Sequence, residues 1–388
     1  MGFSIYLGKL GDSIIVTQDK PKNIAWVPCN IELSKNRLFD ISVVRDNAIE
    51  RFVEAKKILI KNKYNCNTVD LCNLSEVSVI IFYGVAAELK WLIKAVKSNP
   101  HVRLLNIPIE PLIISPMHDE RILSFMPFDR IMVWNDNLVK REHPFVKANI
   151  GEAVIYPDSI PFLSFKEKKF LVAIYSNKLV KHYSGLYEER VAAFDYFSNK
   201  HEGLDLYGVG WNQSTRPSIV ASYKGVCEAK KDILQNYKFS ICFENATYPG
   251  LITEKIFDCF AAGTVPIYYG APNIQDYIPK DCFIDFRDFN SYEELSTYLL
   301  DMKEVEYKKY LDAVKIFIQT QEYYEFTSKR YAEVILKQVQ ILTNSESQNR
   351  TVLGFKLSLF KLVICHPLFF LRNLRKCRGF LFDLVTVW

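Results

Sequence analysis

The sequence predicts an α/β protein with two parallel-sheet domains facing each other, followed by a basic, apolar tail. Three observations carry that prediction. Short runs rich in Val, Ile, Phe and Tyr alternate with stretches whose apolar residues recur at helical spacing, which is the mark of βα units. The alternation runs twice, with a proline-containing break between the two series. The 388 residues also suit two domains of ordinary size better than one.

In the first half, beyond Pro21–Ile31, the runs Val77–Tyr83, Val102–Ile107 and Arg130–Trp134 read as buried strands, and Ala48–Lys63 and Ala86–Lys97 read as helices. Pro157, Pro161 and a Lys/Glu cluster interrupt the pattern within Tyr156–Lys169, so the junction is placed there. The second half gives strands at Phe170–Tyr175, Leu204–Tyr207, Phe239–Phe243, Val265–Tyr268 and Phe283–Asp285. Between them Leu186–Ser198, Ala229–Gln235 and Thr253–Ala262 carry helical spacing, and two longer patterns, Ser291–Met302 and Val305–Leu342, follow the last strand. The expected division is a domain over 1–160, a second over 161–345, and a spacer and tail over 346–388. There is no internal repeat.

Hydrophobic residues make up 49% and charged residues 24%, an ordinary globular balance. A formal charge of +5 is too small to argue for nucleic acid as a partner. The nine cysteines show no C-x-x-C spacing, so neither a zinc site nor a redox motif is expected. An odd, unframed set fits a reducing compartment. The first ten residues lack a basic n-region and a long apolar core, so neither a signal peptide nor an N-terminal anchor is expected. The expectation is a cytoplasmic, bacterial protein.

Open α/β sheets bind ligands beyond the carboxyl ends of their strands. The richest such loop lies in Tyr237–Pro279, YKFSICFENATYPGLITEKIFDCFAAGTVPIYYGAPNIQDYIP. It reads as a buried strand, a polar loop, a helix, a second strand and a Gly-Ala-Pro turn. Thr253 stands where an N-cap would, and Ile256, Phe257, Phe260 and Ala261 make the buried helix face. The positive end of that helix favours anions, and Lys255 adds a full charge in its first turn. A cation there opposes the helix dipole, so its presence hints at function.

The run CFEN…YPG…TEKIFD-x-F-x-AG-x-VPIYYGAPNI…YIP resembles the signature of the α-1,3/1,4-fucosyltransferases, glycosyltransferase family 10. The likeness extends more loosely to Ile174–Asn177 and Leu206–Gly210 and only faintly into the first domain. It implies two Rossmann-like domains in the glycosyltransferase type B (GT-B) arrangement, with GDP-fucose held by the second. It further implies that Glu254 grips the ribose hydroxyls, that Lys255 faces the diphosphate and that Arg190 neutralises it. Asn177, Tyr207, Asn245 and Tyr248 fall at donor-binding positions by the same likeness.

The implied chemistry asks for such groups. As fucose leaves GDP, negative charge grows on the diphosphate, and fixed cations stabilise that charge most in the transition state. No Asp-x-Asp occurs in the sequence, so the expectation is a reaction without a metal or other cofactor, in which Arg190 and Lys255 carry the charge. Inversion needs a base from the opposite domain. Glu110, in Ile107-Pro108-Ile109-Glu110-Pro111, is the best match, with His118, Asp119 and Glu120 as rivals. The implied acceptor is a glycan hydroxyl, on GlcNAc or glucose of a lipopolysaccharide or other surface glycan. Two other functions compete: a GT-B enzyme using another sugar nucleotide, and a non-catalytic nucleotide-sugar-binding protein.

Plainer readings stand beside these. Glu254 and Lys255 could be a solvated helix start, Arg190 a charged helix face, Glu110 a loop acid, and Asn245 and Tyr248 turn formers. Trp134-Asn135-Asp136 reads as a strand end running into a turn. His101, His143, His182 and His201 lack ligand spacing, and Cys259 reads as core.

The segment Gly354–Trp388 holds six Lys/Arg against one acid, Asp383. Lys361 and Pro367 break its apolar runs below the length of a membrane span. Its composition suits a membrane interface, and the expectation is peripheral association with the inner face of the membrane. The competing reading packs it on the first domain as a crossover element, unless the long helix before the spacer does that.

Overall fold

The computed structural model describes residues 21–345 apart from 45, 47, 85–88, 112, 162, 179 and 181, together with 350, 351, 354 and 363–366. The described strands form two six-stranded parallel sheets. The first contains β1 (Asn23–Val27), β2 (Asn65–Thr68), β3 (Val77–Tyr83), β4 (Arg103–Ile107), β5 (Arg130–Val133) and β6 (Phe145–Lys147), in the order β2-β1-β3-β4-β5-β6. The second contains β7 (Lys169–Ile174), β8 (Leu204–Tyr207), β9 (Tyr223–Gly225), β10 (Tyr237–Phe243), β11 (Val265–Tyr269) and β12 (Ile284–Asp285), in the order β12-β11-β10-β7-β8-β9.

Central strands of parallel sheets are covered on both faces and so read as unbroken apolar runs. Val79, Ile80 and Ile81 of β3 and Phe239, Ile241 and Cys242 of β10 are all buried. Strands β2 and β9 lie at sheet edges. Their sequences, NCNT and YKG, carry no apolar run, which is why the sequence patterns pass over them. β1 is also missed, although it sits inside the first sheet with Trp26 fully buried.

The helices are α1 (Glu50–Lys61), α2 (Leu89–Ser98), α3 (Glu120–Phe125), α4 (Asp136–Val139), α5 (Tyr187–Ser198), α6 (Pro217–Ser222), α7 (Lys230–Leu234), α8 (Glu254–Ala262), α9 (Tyr292–Asp301), α10 (Glu304–Phe317), α11 (Gln321–Tyr324) and α12 (Ser328–Asn344). The single long pattern expected over Val305–Leu342 is therefore three helices. Thr320 and Thr327 break it: each takes extended backbone and accepts a backbone N–H, from Tyr323 and Arg330 respectively. The break redirects α12 onto the other lobe. Tyr331, Ala332, Ile335, Val339 and Leu342 pack in one core with Trp26, Phe52 and Leu59. Thus α12, within the stretch the sequence patterns give to the second domain, supplies the crossover.

Residues of the spacer and tail that are described touch the first lobe. Arg350 pairs with Asp129 at 2.7 Å and donates to the Pro127 carbonyl, Val363 packs on that lobe's core, and the His366 ring meets Phe125. The remainder of the tail, and with it the expected membrane-surface face, lies outside the described residues. Among the described residues no helix is long and apolar enough to cross a membrane.

Candidate active site

The carboxyl ends of β7, β8 and β10 in the second sheet open toward the end of β4 in the first. At β10, Phe243 leads into Glu244, which is fully buried. A carboxylate there must be satisfied internally. Glu244 accepts from the Thr253 backbone N–H at 2.8 Å, from the Thr253 hydroxyl, and from Lys255 Nζ at 3.2 Å. The structure thus corrects the expected cap. Thr253 holds the N-cap position, but its side chain makes no capping bond to α8, because its hydroxyl is used on Glu244.

Lys255 Nζ also donates to the Thr253 hydroxyl at 2.8 Å and lies 3.4 Å from Glu254. Burial pushes the ammonium toward neutrality, but Glu244 and Glu254 outweigh it and raise the pKa, so the group stays charged. The nearby Arg190 works against them. Glu254 shows the mirror balance: burial would raise its carboxyl, and Lys255 and Lys230 hold it far below the usual range.

Arg190 sits in the first turn of α5 and is 5% exposed. Its guanidinium donates to the Phe243 carbonyl at 2.7 Å and to Asn245 Oδ1 at 2.9 Å. It lies 4.4 Å from the Tyr175 ring centre and 5.0 Å from that of Tyr187, a cation–π seat that offsets desolvation. Its Nε has no partner among the described residues. Arg190, Lys255, Glu254 and Asn245 line one cavity of about 330 Å³, and Glu110 reaches it from the first lobe. The two cations and the proposed base therefore share one space.

Glu110 lies open to this groove, yet the walls around it thin the water, and that desolvation raises its carboxyl while Lys255 pulls the other way. No hydrogen bond or ion pair holds its carboxylate among the described residues. Its backbone is pinned: the Glu110 carbonyl takes a hydrogen bond from His118 Nδ1, and burial drops the His118 pKa to about 4, so that ring is neutral. The rival acids are engaged elsewhere. Asp119 caps α3 and is held by Arg121 at 2.8 Å, and Glu120 pairs with Arg141 at 2.6 Å. Glu110 also lines a second cavity, of about 390 Å³, walled by Trp134, Tyr248, Tyr183 and Asp119.

Three expected donor residues lie off the first cavity wall. Asn177 donates to the Gly210 carbonyl and shapes the turn after β8. Tyr207 turns its hydroxyl toward Tyr237. Tyr248 accepts from the Ser184 hydroxyl and faces the second cavity. The turn itself reaches the first cavity through Gly208, at φ +126, where a Cβ would meet the Tyr175 carbonyl oxygen at 1.9 Å.

Lys230 escapes the sequence reading. It opens α7, pairs with Asp258 at 2.7 Å and Glu254 at 3.5 Å, and lines the same cavity. The signal was the one that marked Lys255: a lysine in the first turn of a helix, against the dipole.

Residues 165–354, just under half the chain, match the model of glycosyltransferase family 10 (fucosyltransferase), C-terminal region. The chain resembles that family. A curated α-(1,3)-fucosyltransferase, FucT of Helicobacter pylori, is 41% identical over 71 residues, covering 18% of this chain and 15% of that protein. An α-(1,4)-fucosyltransferase of Arabidopsis thaliana is 41% identical over 66 residues, covering 17% and 16%. The matched segment thus spans under a fifth of either relative. A crystal structure of an α1,3-fucosyltransferase with GDP superposes with a TM-score of 0.50 at 15% identity, over 89% of this chain and 96% of that one. The likeness covers both lobes, and the fold is GT-B. The family 10 match over 165–354 takes in Arg190, Asn245, Glu254 and Lys255 and leaves out Glu110.

Proposed function

We propose that this protein transfers fucose from GDP-fucose to a hydroxyl of a glycan acceptor, with inversion and without a metal ion. The observation that carries the reading is that Arg190 and Lys255 of one lobe and Glu110 of the other line a single cavity. The family 10 resemblance supplies the sugar and the nucleotide.

In this reading the diphosphate sits against Arg190 and Lys255, with Glu254 on the ribose. The acceptor enters through the second cavity, whose wall includes Glu110. Glu110 takes the proton of the acceptor hydroxyl as that oxygen bonds to the anomeric carbon. The bond from that carbon to the phosphate oxygen breaks, and its electron pair leaves on GDP. Two fixed cations are already aimed where that charge appears, so they cost no reorganisation.

The acceptor is proposed to be GlcNAc or glucose in a lipopolysaccharide or other surface glycan. The protein is proposed to act in the cytoplasm at the inner membrane face, held by residues beyond 354. The central test is turnover of GDP-fucose with N-acetyllactosamine-type and lipopolysaccharide acceptors, with and without EDTA, reading the anomeric configuration of the product. Activity abolished by EDTA and restored by a divalent ion would refute the metal-free mechanism. Turnover with other sugar nucleotides alone would refute the donor, and a product that keeps the anomeric configuration of the donor would refute inversion. Deleting residues 352–388 should release the protein from vesicles of anionic lipid; undiminished partitioning would remove the membrane role.

A further inference from the structure

The turn Trp134-Asn135-Asp136, at the end of β5, does more than close a strand. Asp136 Oδ1 accepts from Lys147 Nζ and from the Tyr277 hydroxyl, both at 2.6 Å, and Oδ2 accepts from Asn273 Nδ2 at 2.9 Å. Lys147 belongs to the first lobe, whereas Tyr277 and Asn273 belong to the second. The Asp136 backbone N–H donates to the Pro249 carbonyl at 3.2 Å, and Asn273 Oδ1 accepts from the Gly250 N–H at 3.0 Å. Gly250 has φ +79, and a Cβ there would meet the Trp134 carbonyl oxygen at 2.5 Å and Asp136 at 2.9 Å. The loop carrying Asn245 and Tyr248 is therefore stapled to the first lobe at its far end.

The same turn also holds the strand end that bears the base. Trp134 Nε1 donates to the Ile109 carbonyl at 2.6 Å, one residue before Glu110. Its ring packs with Ile113 and Ile150 of the first lobe and with Tyr187, Ala246 and Leu251 of the second. One rigid turn thus touches both partners of the reaction geometry. Yet Asp136 lines neither cavity.

We propose that Asp136 is a positioning residue that fixes the register between Glu110 and the donor loop Asn245–Gly250. The proposal rests on the fucosyl-transfer reading above for its kinetic consequence, but its structural claim stands without it. A misplacement of about 1 Å between base and donor costs on the order of 10²-fold in rate. Donor binding depends on groups within the second lobe and should survive the loss of Asp136. When the acceptor is out of register, water can take its place: its oxygen bonds to the anomeric carbon, GDP leaves with the electron pair, and the proton passes to solvent.

The experiment compares the full chain with Asp136→Ala and, as a milder change that removes one hydroxyl, Tyr277→Phe. GDP affinity is read by calorimetry, fucosyl transfer and donor hydrolysis by product analysis, and exchange of backbone amides over 107–111 and 245–251 by mass spectrometry. The expected result for Asp136→Ala is GDP affinity within about twofold, transfer down on the order of 10²-fold, a larger share of hydrolysis, and faster exchange over both segments. Tyr277→Phe should move each readout the same way by less. Unchanged transfer, or a loss of GDP affinity in step with transfer, overturns the proposal. If the unaltered protein binds GDP but transfers no fucose, the functional reading fails; faster exchange over both segments in Asp136→Ala then still supports the staple, and unchanged exchange overturns it.

Discussion

Glu244 and Lys255 form a buried ion pair of 3.2 Å, with the carboxylate fully out of water. The same carboxylate takes the Thr253 backbone N–H and hydroxyl, so one acid both seats α8 and balances the cation at its start. Removing one partner of a buried pair strands the other, at a cost of about 3–5 kcal/mol. Glu244→Ala should accordingly lower the thermal midpoint on the order of 10 °C, at about 2–4 °C per kcal/mol for a domain of this size. Glu244→Gln keeps an acceptor for Thr253 and should fall between. Calorimetric scans check this; an alanine variant that melts with the unaltered protein would contradict it.

In the proposed reaction Lys255 and Arg190 face the departing diphosphate, and that role would have a measurable size. Truncating either to Met should lower kcat for fucosyl transfer about 10²–10³-fold. Arg190→Lys should not restore it. Arg190 spends one nitrogen, Nη2, on both the Phe243 carbonyl and Asn245 and stacks on Tyr175, which leaves further guanidinium N–H groups for an anion; a lysine has one nitrogen and no planar group to do all three. Steady-state kinetics at saturating donor decide, and a lysine variant with full activity would remove the geometric part of the argument.

The legibility of this site in the sequence follows the physics of each residue. Lys255 is visible because a cation in the first turn of a helix opposes the dipole, and β10 is visible because both its faces are buried. The ion pair beneath them is not, because Glu244 reads as one loop acid until the fold buries it. Asp136 is hidden for a related reason: its partners Asn273 and Tyr277 are distant in sequence. Edge strands β2 and β9 are lost because an edge needs no apolar run. The helical period is continuous through Val305–Leu342, so it conceals the two threonine caps that turn α12 back across the molecule.

Glu110 gives a pH-dependent prediction. A base must be ionised, and desolvation raises this carboxyl while Lys255 lowers it. The acidic limb of kcat/KM should therefore lie above the ordinary carboxylate range. Residual activity of Lys255→Met should show that limb displaced to still higher pH, because the lowering charge is gone. Glu110→Gln should bind GDP normally and lose transfer. A pH profile for Lys255→Met that coincides with that of the unaltered protein would break the electrostatic link.

The charged seam behind the first cavity should make stability fall with rising pH. Glu152 is buried near Arg51 at 3.7 Å, and burial pushes its carboxyl from the ordinary 4.5 up to about 8, opposed by Arg51 and reinforced by Glu254 and Asp258. Asp258 is likewise raised by burial, to about 6, although Lys230 lowers it. In both cases the folded state keeps a proton that the unfolded chain would release. The unfolded state binds fewer protons across these windows, so stability declines as pH rises, from about 4 to 6 for Asp258 and from about 4.5 to 8 for Glu152. Glu254, whose pKa is depressed, acts oppositely, but its contribution is complete above its ordinary value of 4.5. His118, lowered from 6.5 to about 4, also acts oppositely up to about pH 6.5, so the net decline from Glu152 should show between about 6.5 and 8, and at lower pH in the difference from a Glu152 variant. Glu152→Gln stays neutral throughout, so its stability should gain on the unaltered protein with every step up in pH. Thermal midpoints of the two proteins measured across that window should diverge; parallel curves would mean that Glu152 ionises as freely in the folded chain as in the unfolded one.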